Sequence, residues 1–216
     1  IPMPYNVEMY RNIQKRGIPM VFLSDVPEDM TDCNYVLWDT SEATTTAIRH
    51  LIETGYRRIG FIGANHRTVW TRMRYLAYEK ALKQSGIGIN RKWVAWELFD
   101  FSYQVKEKIE IMVDKVLGTG KEHPEALYVS TDALAINIID ILHKRGMRVP
   151  DDVAVIGMGD MFMSDHSGIN LTTVREPSEE LGKITAETIL DLINHPRKQP
   201  IQRLIKCNEL IVRGTT

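Results

Sequence analysis

The sequence predicts an α/β protein in which parallel strands are flanked by helices. Strand and helix signals alternate along most of the 216 residues, which is the pattern of strand–helix–strand units. The strand candidates are short apolar runs, as in sheets that are buried on both faces. Gly55, Gly86 and Gly118 stand where helical patterns end. Five strand–helix repeats between Tyr35 and Ile156 are enough for one complete parallel sheet.

Each helix is predicted where apolar residues recur at intervals of three and four. Ala43, Ala47, Ile48 and Leu51 show this spacing and would share one buried face. The helix ranges predicted in this way are 7–16, 40–54, 73–85, 105–117, 132–145 and 179–193. The apolar runs between them predict strands at 20–23, 35–38, 58–63, 93–98, 126–129, 153–156 and 171–174, with one or two more within 204–212. The polar stretches 25–32 and 65–71 are predicted to be loops.

The composition excludes several classes of protein. Lysine and arginine total 27 and aspartate and glutamate 28, so the net charge of −1 lacks the basic excess of a dedicated nucleic-acid binder. No apolar run reaches the roughly 18 residues of a membrane-spanning helix, and no secretory signal pattern is present. Cys33 and Cys207 are predicted to be reduced thiols of a cytoplasmic protein. Because the chain begins at Ile1 within strand-like sequence, we expect a truncated amino terminus.

We find no complete sequence motif for catalysis or for metal or cofactor binding. The pair Gly157-x-Gly159 lacks the third glycine of a dinucleotide-binding fingerprint. Ser164, Asp165 and His166 are neighbours in sequence, whereas a catalytic triad is assembled from residues that converge in space. The six histidines show no metal-ligand spacing with cysteine. We therefore predict that the protein is not an enzyme and has no metal site and no cofactor.

The most informative stretch is 147–160, which reads Met-Arg-Val-Pro-Asp-Asp-Val-Ala-Val-Ile-Gly-Met-Gly-Asp. A strand of buried character opens here onto small and acidic residues. Ligands of open α/β sheets bind outside the carboxyl ends of the strands. The stretch therefore predicts one wall of a ligand cleft.

Several other segments agree with this stretch and carry a family resemblance. They are Gly17-Ile-Pro-Met-Val-Phe-Leu-Ser-Asp25, Leu51-Ile-Glu-Thr-Gly-Tyr-Arg-Arg-Ile-Gly-Phe-Ile-Gly63, Arg74-Tyr-Leu-Ala-Tyr-Glu-Lys-Ala-Leu82, Thr131-Asp132-Ala-Leu-Ala135, Leu171-Thr-Thr-Val174 with Leu181-Gly182, and Glu209-Leu-Ile-Val-Arg213. In this order and spacing they resemble the effector-binding domain of LacI/GalR-type transcription regulators over residues 17–216. Tyr56 stands where the family usually has histidine.

The resemblance implies a two-lobed, periplasmic-binding-protein-like type I fold, with the ligand in the cleft and three chain crossings between the lobes. Residues 1–38 plus 175–203 would form the amino-terminal lobe, and 39–174 plus 204–216 the carboxyl-terminal lobe. The first lobe would be incomplete, and the DNA-binding helix-turn-helix of the family would be absent from this chain. The implied function is effector sensing and homodimerisation in a cytoplasmic repressor. The implied partners are a sugar or sugar derivative, a second copy, and operator DNA reached through the missing domain, without a membrane.

Seven residues are candidate ligand contacts, namely Arg74, Phe101, Thr131, Asp132, Asp160, Asp25 and Trp38. Arg74 follows a strand and a polar loop and matches the ligand-binding arginine of the family. Its planar fork of donors suits vicinal hydroxyls or a carboxylate, and the alternative is a solvated arginine. Phe101 and Trp38 offer aromatic faces to a sugar ring or a base, or else pack in the core and at the hinge. Thr131 replaces an asparagine that contacts ligand in the family.

Each acidic candidate also has a purely structural interpretation. Asp132 is suited to cap the helix that follows it. In the family, the first glycine of the 157–160 segment precedes an aromatic residue and then a ligand-binding aspartate, where this chain has Met158 and Gly159. Either Asp160 takes over that role or the site lacks the carboxylate. Asp25 either contacts ligand or caps the local backbone.

Two functions compete for this fold. A periplasmic sugar-binding protein shares it but needs a signal peptide for export. The ending Glu209-Leu-Ile-Val-Arg-Gly-Thr-Thr216 and the Val149-Pro-Asp-Asp-Val153 motif favour the ligand-sensing core of a repressor. An enzyme on the same frame is least favoured, because no nucleophile–base pair is evident.

Overall fold

Helices flank two parallel β-sheets in a computed structural model of the chain, as the alternation of the sequence predicts. The structure describes residues 7–23, 25–27, 29–30, 32–64, 69–97, 105–118, 122–166, 168–196 and 199–216. The helices are α1 (Val7–Lys15), α2 (Thr40–Glu53), α3 (Val69–Gln84), α4 (Val105–Leu117), α5 (Asp132–Lys144), α6 (Phe162–His166) and α7 (Ser178–Asn194). The strands are β1 (Val21–Leu23), β2 (Asn34–Trp38), β3 (Ile59–Ala64), β4 (Val94–Glu97), β5 (Ala126–Val129), β6 (Ala154–Ile156), β7 (Thr173–Val174), β8 (Gln202–Ile205) and β9 (Leu210–Ile211).

The smaller sheet has the strand order β1-β2-β8, and both pairings are parallel. The side chain of Asn34 ties its neighbours together, since Nδ2 donates to the Met20 carbonyl at 3.0 Å and Oδ1 accepts from the Ile201 amide at 2.8 Å. The pairing of β8 with β2 extends to Ile205, which lies opposite Trp38. The pairing therefore includes Leu204 and Ile205, which the family resemblance assigns to the other lobe.

The larger sheet has the strand order β4-β3-β5-β6, again all parallel, so the carboxyl ends of its strands share one edge. Every residue of β5 is buried, which explains why this strand is an unbroken apolar run. An aromatic cluster of Phe61, Tyr78 and Tyr128 fills the core that α2 and α3 cover. Apolar residues of α4 and α5 such as Val113 and Ile138 pack in a second core cluster with Ile62, Leu127 and Val129 of the sheet.

The last part of the chain closes onto the free edge of β6. Strands β7 and β9 form an antiparallel pair, and bridges from Ile156 to Thr172 and from Gly159 to Arg175 attach this pair to the larger sheet. The Thr215 hydroxyl donates to the Val155 carbonyl at 2.7 Å. The segments that follow β6 are thus attached beside that strand.

Two local predictions were wrong. The predicted polar loop 65–71 ends earlier, because α3 already begins at Val69. The five-residue helix α6 was not predicted, since it is held by contacts from elsewhere in the chain, including a hydrogen bond from the Ser164 hydroxyl to Asp132. Within the described ranges, no helix has both the length and the apolar character needed to cross a bilayer.

Candidate functional site

Arg74 lies at the carboxyl edge of the larger sheet, on the helix that follows β3. It is only 7% exposed, so the alternative of a solvated arginine does not hold. A terminal guanidinium nitrogen donates to the carbonyl oxygen of Ser130, directly after β5. The Nε–H has no hydrogen-bond acceptor in the part of the chain that the structure describes. A buried donor of this kind is costly unless a ligand or water accepts from it.

Two tryptophan rings contact the guanidinium. Its Cζ lies 4.4 Å from the ring centroid of Trp70, on the same helix, and 5.6 Å from that of Trp38, at the end of β2. These are cation–π distances, and such contacts strengthen when the cation is desolvated. Since Trp38 ends a strand of the smaller sheet and Ser130 follows a strand of the larger one, Arg74 contacts both sheets.

Acidic groups from three different segments act on Arg74. Burial lowers the pKa of the guanidinium, and the nearby carboxyl groups of Glu176, Asp132 and Asp25 oppose that shift. Among the three carboxylates, Glu176 has the strongest influence. One buried cation therefore has several carboxyl groups near it, an arrangement that can both donate to and accept from a polar ligand.

Thr131 and Asp132 follow β5 at the same edge. The helix cap is Thr131, whose hydroxyl accepts from the Leu134 amide at 3.3 Å, so the prediction that Asp132 caps the helix was wrong. Asp132 is fully buried. Its carboxylate accepts from the Met161 amide at 2.9 Å and from the hydroxyls of Ser164 and Thr173, each at 2.6 Å.

Gly157 and Gly159 allow the loop after β6 to pass close to Asp132. A Cβ on Gly157 would lie 2.3 Å from Asp132 Oδ1, so any side chain there displaces the carboxylate. Gly159 has a φ of +136°, a conformation that L-residues rarely adopt. At the position where the family resemblance predicts a ligand-binding aspartate, the chain thus has a backbone that disfavours one.

Asp160 is held by two arginines. It accepts from Arg175 Nε at 2.9 Å and from Arg213 at 2.8 Å, and Arg175 also pairs with Glu209 at 2.8 Å. Burial raises the pKa of Asp160, but the hydrogen bonds from the two arginines outweigh it and the pKa is lowered overall. The φ of 51° at Asp160 is unusual for a residue other than glycine. These contacts attach the loop after β6 to the segments that follow β7 and β9.

The remaining candidates are distributed as follows. Trp38 is 4% exposed, and its indole N–H donates to the Cys207 carbonyl at 2.9 Å. It therefore contacts the segment between β8 and β9 as well as Arg74. Asp25 follows β1 and is half-buried, with its Oδ1 accepting from the Val26 amide at 2.8 Å, as local backbone capping predicts. Phe101 lies outside the described residues.

Two residues of this edge were missed by reasoning from the sequence, namely Trp70 and Glu176. Trp70 was assigned to a polar loop, although its position four residues before Arg74 is the spacing that brings side chains together on a helix. Glu176 carries no motif and is placed only by the fold. Among the described residues, no group of three histidine, cysteine, aspartate or glutamate side chains is arranged to hold a metal ion.

The chain is similar to known proteins along most of its length. A family described as "Periplasmic binding protein-like domain" matches residues 48–216. An HTH-type transcriptional repressor PurR of Haemophilus influenzae (strain PittEE) is 32% identical over 199 residues, which cover 91% of this chain and 56% of the relative. The ribose operon repressor of Haemophilus influenzae is 29% identical over 152 residues, covering 70% of this chain and 44% of the relative. The chain therefore spans about half the length of the curated relatives it matches.

Solved structures show the same architecture. A putative transcriptional regulator LacI from Bacillus cereus subsp. cytotoxis superposes with a TM-score of 0.84 at 25% identity, covering 98% of this chain and 73% of that one. The transcriptional regulator CelR in complex with cellobiose gives a TM-score of 0.83 at 25% identity, covering 98% and 63%. The predicted α/β class with parallel, helix-flanked sheets is thereby confirmed.

Proposed function

This chain belongs to the periplasmic binding protein-like family, as the effector-binding domain of a LacI-type regulator, and we propose that it senses a small molecule for a transcription repressor. The observation that carries the proposal is the buried Arg74. Its Nε–H lacks an acceptor among the described residues at the sheet edge where ligands of this architecture bind. The PurR and ribose repressor names of the relatives favour a repressor over a transport protein.

In this proposal the two sheets belong to two lobes that close on the effector. The smaller sheet with α7 forms one lobe and the larger sheet the other, and the third crossing follows Ile205, where the pairing of β8 ends. Trp38 ends the last strand before the first crossing and contacts both Arg74 and Cys207. An effector that accepts a hydrogen bond from Arg74 therefore changes the contact between Arg74 and Trp38, which lie in different lobes. Coupling of this kind typically amounts to about 1–3 kcal/mol.

The proposed ligand contacts are Arg74, Trp38, Asp25 and Thr131, with Phe101 from outside the described residues. Arg74 supplies the donor and Trp38 an aromatic face. Asp132 and Asp160 contribute by shaping the loop after β6, because their carboxylates accept the protein's own donors. The effector is a sugar or sugar derivative. The cellobiose complex of CelR supports sugar binding as the chemistry of such a cleft.

Thermal-shift measurements with sugars, sugar phosphates and purines test the proposal. We expect at least one of these compounds to raise the melting temperature of the wild type, because ligand binding stabilises the folded state. The Arg74→Ala variant is expected to fold and to lose that stabilisation. Lys80→Ala is the matched control, since Lys80 is an exposed cation on the same helix. An Arg74→Ala protein that keeps its ligand-induced shift contradicts the assignment.

The full protein is proposed to act in the cytoplasm as a homodimer on operator DNA, through a helix-turn-helix encoded upstream. A symmetric dimer suits the palindromic sites of such proteins. The exposed run Met161, Phe162 and Met163 on and before α6 supports self-association, with Phe162 76% exposed. The upstream coding sequence distinguishes the two functions, because a signal peptide in place of a helix-turn-helix supports the alternative of a periplasmic sugar-binding protein.

A further inference from the structure

The cleft lacks a carboxylate at the position where the resemblance expects one, and neither nearby aspartate is a simple replacement. Gly159 occupies that position with a φ of +136°. The Asp160 carboxylate accepts from Arg175 and Arg213, and the Asp132 carboxylate accepts from one amide and two hydroxyls. Donors of the protein thus already bind both oxygens of each of these carboxylates.

Glu176 lies directly beside Gly159, the position that lacks the expected carboxylate. Its backbone amide donates to the Gly159 carbonyl at 3.1 Å, and the Gly159 amide donates to the Val174 carbonyl at 2.8 Å. Glu176, Gly159 and Asp160 together line a groove of about 620 Å³. Within the described residues, the Glu176 carboxylate accepts a long hydrogen bond, since the Ser178 hydroxyl donates to it at 3.4 Å.

Glu176 and the buried arginine both lie near the segment that contains Asp132. Arg74 donates to Ser130, two residues before Asp132. A Cβ on Gly159 would lie 3.7 Å from Asp132 Oδ2, and Gly159 accepts from Glu176. The pKa of Arg74 responds to Glu176 more strongly than to any other carboxylate, which agrees with this placement.

We propose that Glu176 is the carboxylate that accepts hydroxyl donors of the effector, opposite the unpartnered Nε–H of Arg74, and that together they select a neutral polyol over its carboxylated counterpart. The proposal rests on the proposed sensor function. Arg74 donates to a ligand oxygen, and Glu176 accepts from a neighbouring hydroxyl. A carboxylate on the ligand is rejected, because Glu176, Asp132 and Asp25 already place negative charge around the single guanidinium at this edge of the described structure.

Isothermal titration calorimetry with matched sugar pairs tests this. The probes are D-galactose with D-galacturonate and D-glucose with D-glucuronate, together with D-ribose and cellobiose as further neutral sugars. We expect the wild type to bind a neutral sugar in preference to a uronate. In Glu176→Gln the affinity for that neutral sugar is expected to fall about tenfold or more, and the discrimination against the uronate to disappear.

Two further variants make the result specific. Glu179→Gln removes a carboxylate that lines the same groove and is expected to change the affinity less than about twofold. Glu176→Asp keeps the charge and is expected to retain the discrimination against uronates. Melting temperatures without sugar establish that each variant is folded.

The outcomes separate the two proposals. A Glu176→Gln protein that binds the neutral sugar like the wild type, or a wild type that prefers the uronate, overturns the role of Glu176 and leaves the sensor function standing. A wild type that none of these sugars binds contradicts the sensor proposal for sugars, and the role of Glu176 with it.

Discussion

Removal of the Asp132 side chain is expected to lower the free energy of unfolding strongly, because this one carboxylate accepts several hydrogen bonds. Asp132→Ala deletes the acceptor of three hydrogen bonds, from the Met161 amide and from the Ser164 and Thr173 hydroxyls. Both hydroxyl residues are fully buried, so water does not readily replace the carboxylate. A hydrogen bond to a charged group contributes about 1.5–3 kcal/mol, and an abandoned buried donor costs about 1–3 kcal/mol. Because such contributions are not additive, we expect a loss of about 3–5 kcal/mol.

Urea unfolding followed by far-ultraviolet circular dichroism measures this loss. The matched control is Asp140→Ala, two turns along the same helix, where the carboxylate is exposed and pairs with Lys144 on the surface. The control is expected to leave the unfolding midpoint unchanged, because exposed ion pairs contribute little. The unfolding slope is expected to stay the same in both variants. A loss below about 1 kcal/mol for Asp132→Ala would refute the view that this carboxylate organises the loop after β6.

Three further outcomes follow from the contacts around that loop. Gly157→Ala is expected to lower the free energy of unfolding by about 1–3 kcal/mol, because its Cβ would overlap Asp132. The control Gly88→Ala is expected to be tolerated, because no other atom lies near the added Cβ. Thermal melts of the two variants test this. The pKa of Asp160 is lowered below its ordinary value of 3.8, so its ion pairs stabilise the fold above that pH and are lost as the pH falls through the folded pKa. In acid titrations followed by circular dichroism, the stability of Asp160→Asn is expected to fall less steeply with decreasing pH than that of the wild type. The same pH dependence in both proteins would contradict this. Phe162→Glu is expected to shift the protein from dimer to monomer in sedimentation velocity, while an unaltered sedimentation coefficient argues that this exposed phenylalanine lies outside the interface.

The regular elements were predictable because their signals are local. The periodicity of α2 and the glycine that follows it placed that helix to within one residue, at Thr40–Glu53. The unbroken apolar run of β5 was predicted with the bounds that the structure shows, Ala126–Val129. Short elements were harder to predict. Helix α6 has five residues and is stabilised by Asp132 from another part of the chain, so its own sequence carries no helical signal.

In the candidate site too, residues with a local sequence signal were predictable and residues that depend on distant contacts were not. Arg74 was identified from the sequence because it begins a recognisable family segment, and its burial gives that assignment physical support. The partners of Asp160 were not predictable, since Arg175 and Arg213 lie 15 and 53 residues away and meet it only through the closing of the last strands. Capping of the following helix was offered for Asp132, whereas the structure shows Thr131 as the cap.

By itself, the sequence of this protein determined the class of fold, the positions of its main helices and strands, and the family to which it belongs, because these depend on periodicity and on local motifs. Only the tertiary structure decided which polar groups are already bonded to one another and which donor lacks an acceptor. Hydrogen bonding at the sheet edge depends on distances between residues far apart in the chain. Glu176 and Trp70 became candidates for the site only when the strands brought them beside Gly159 and Arg74.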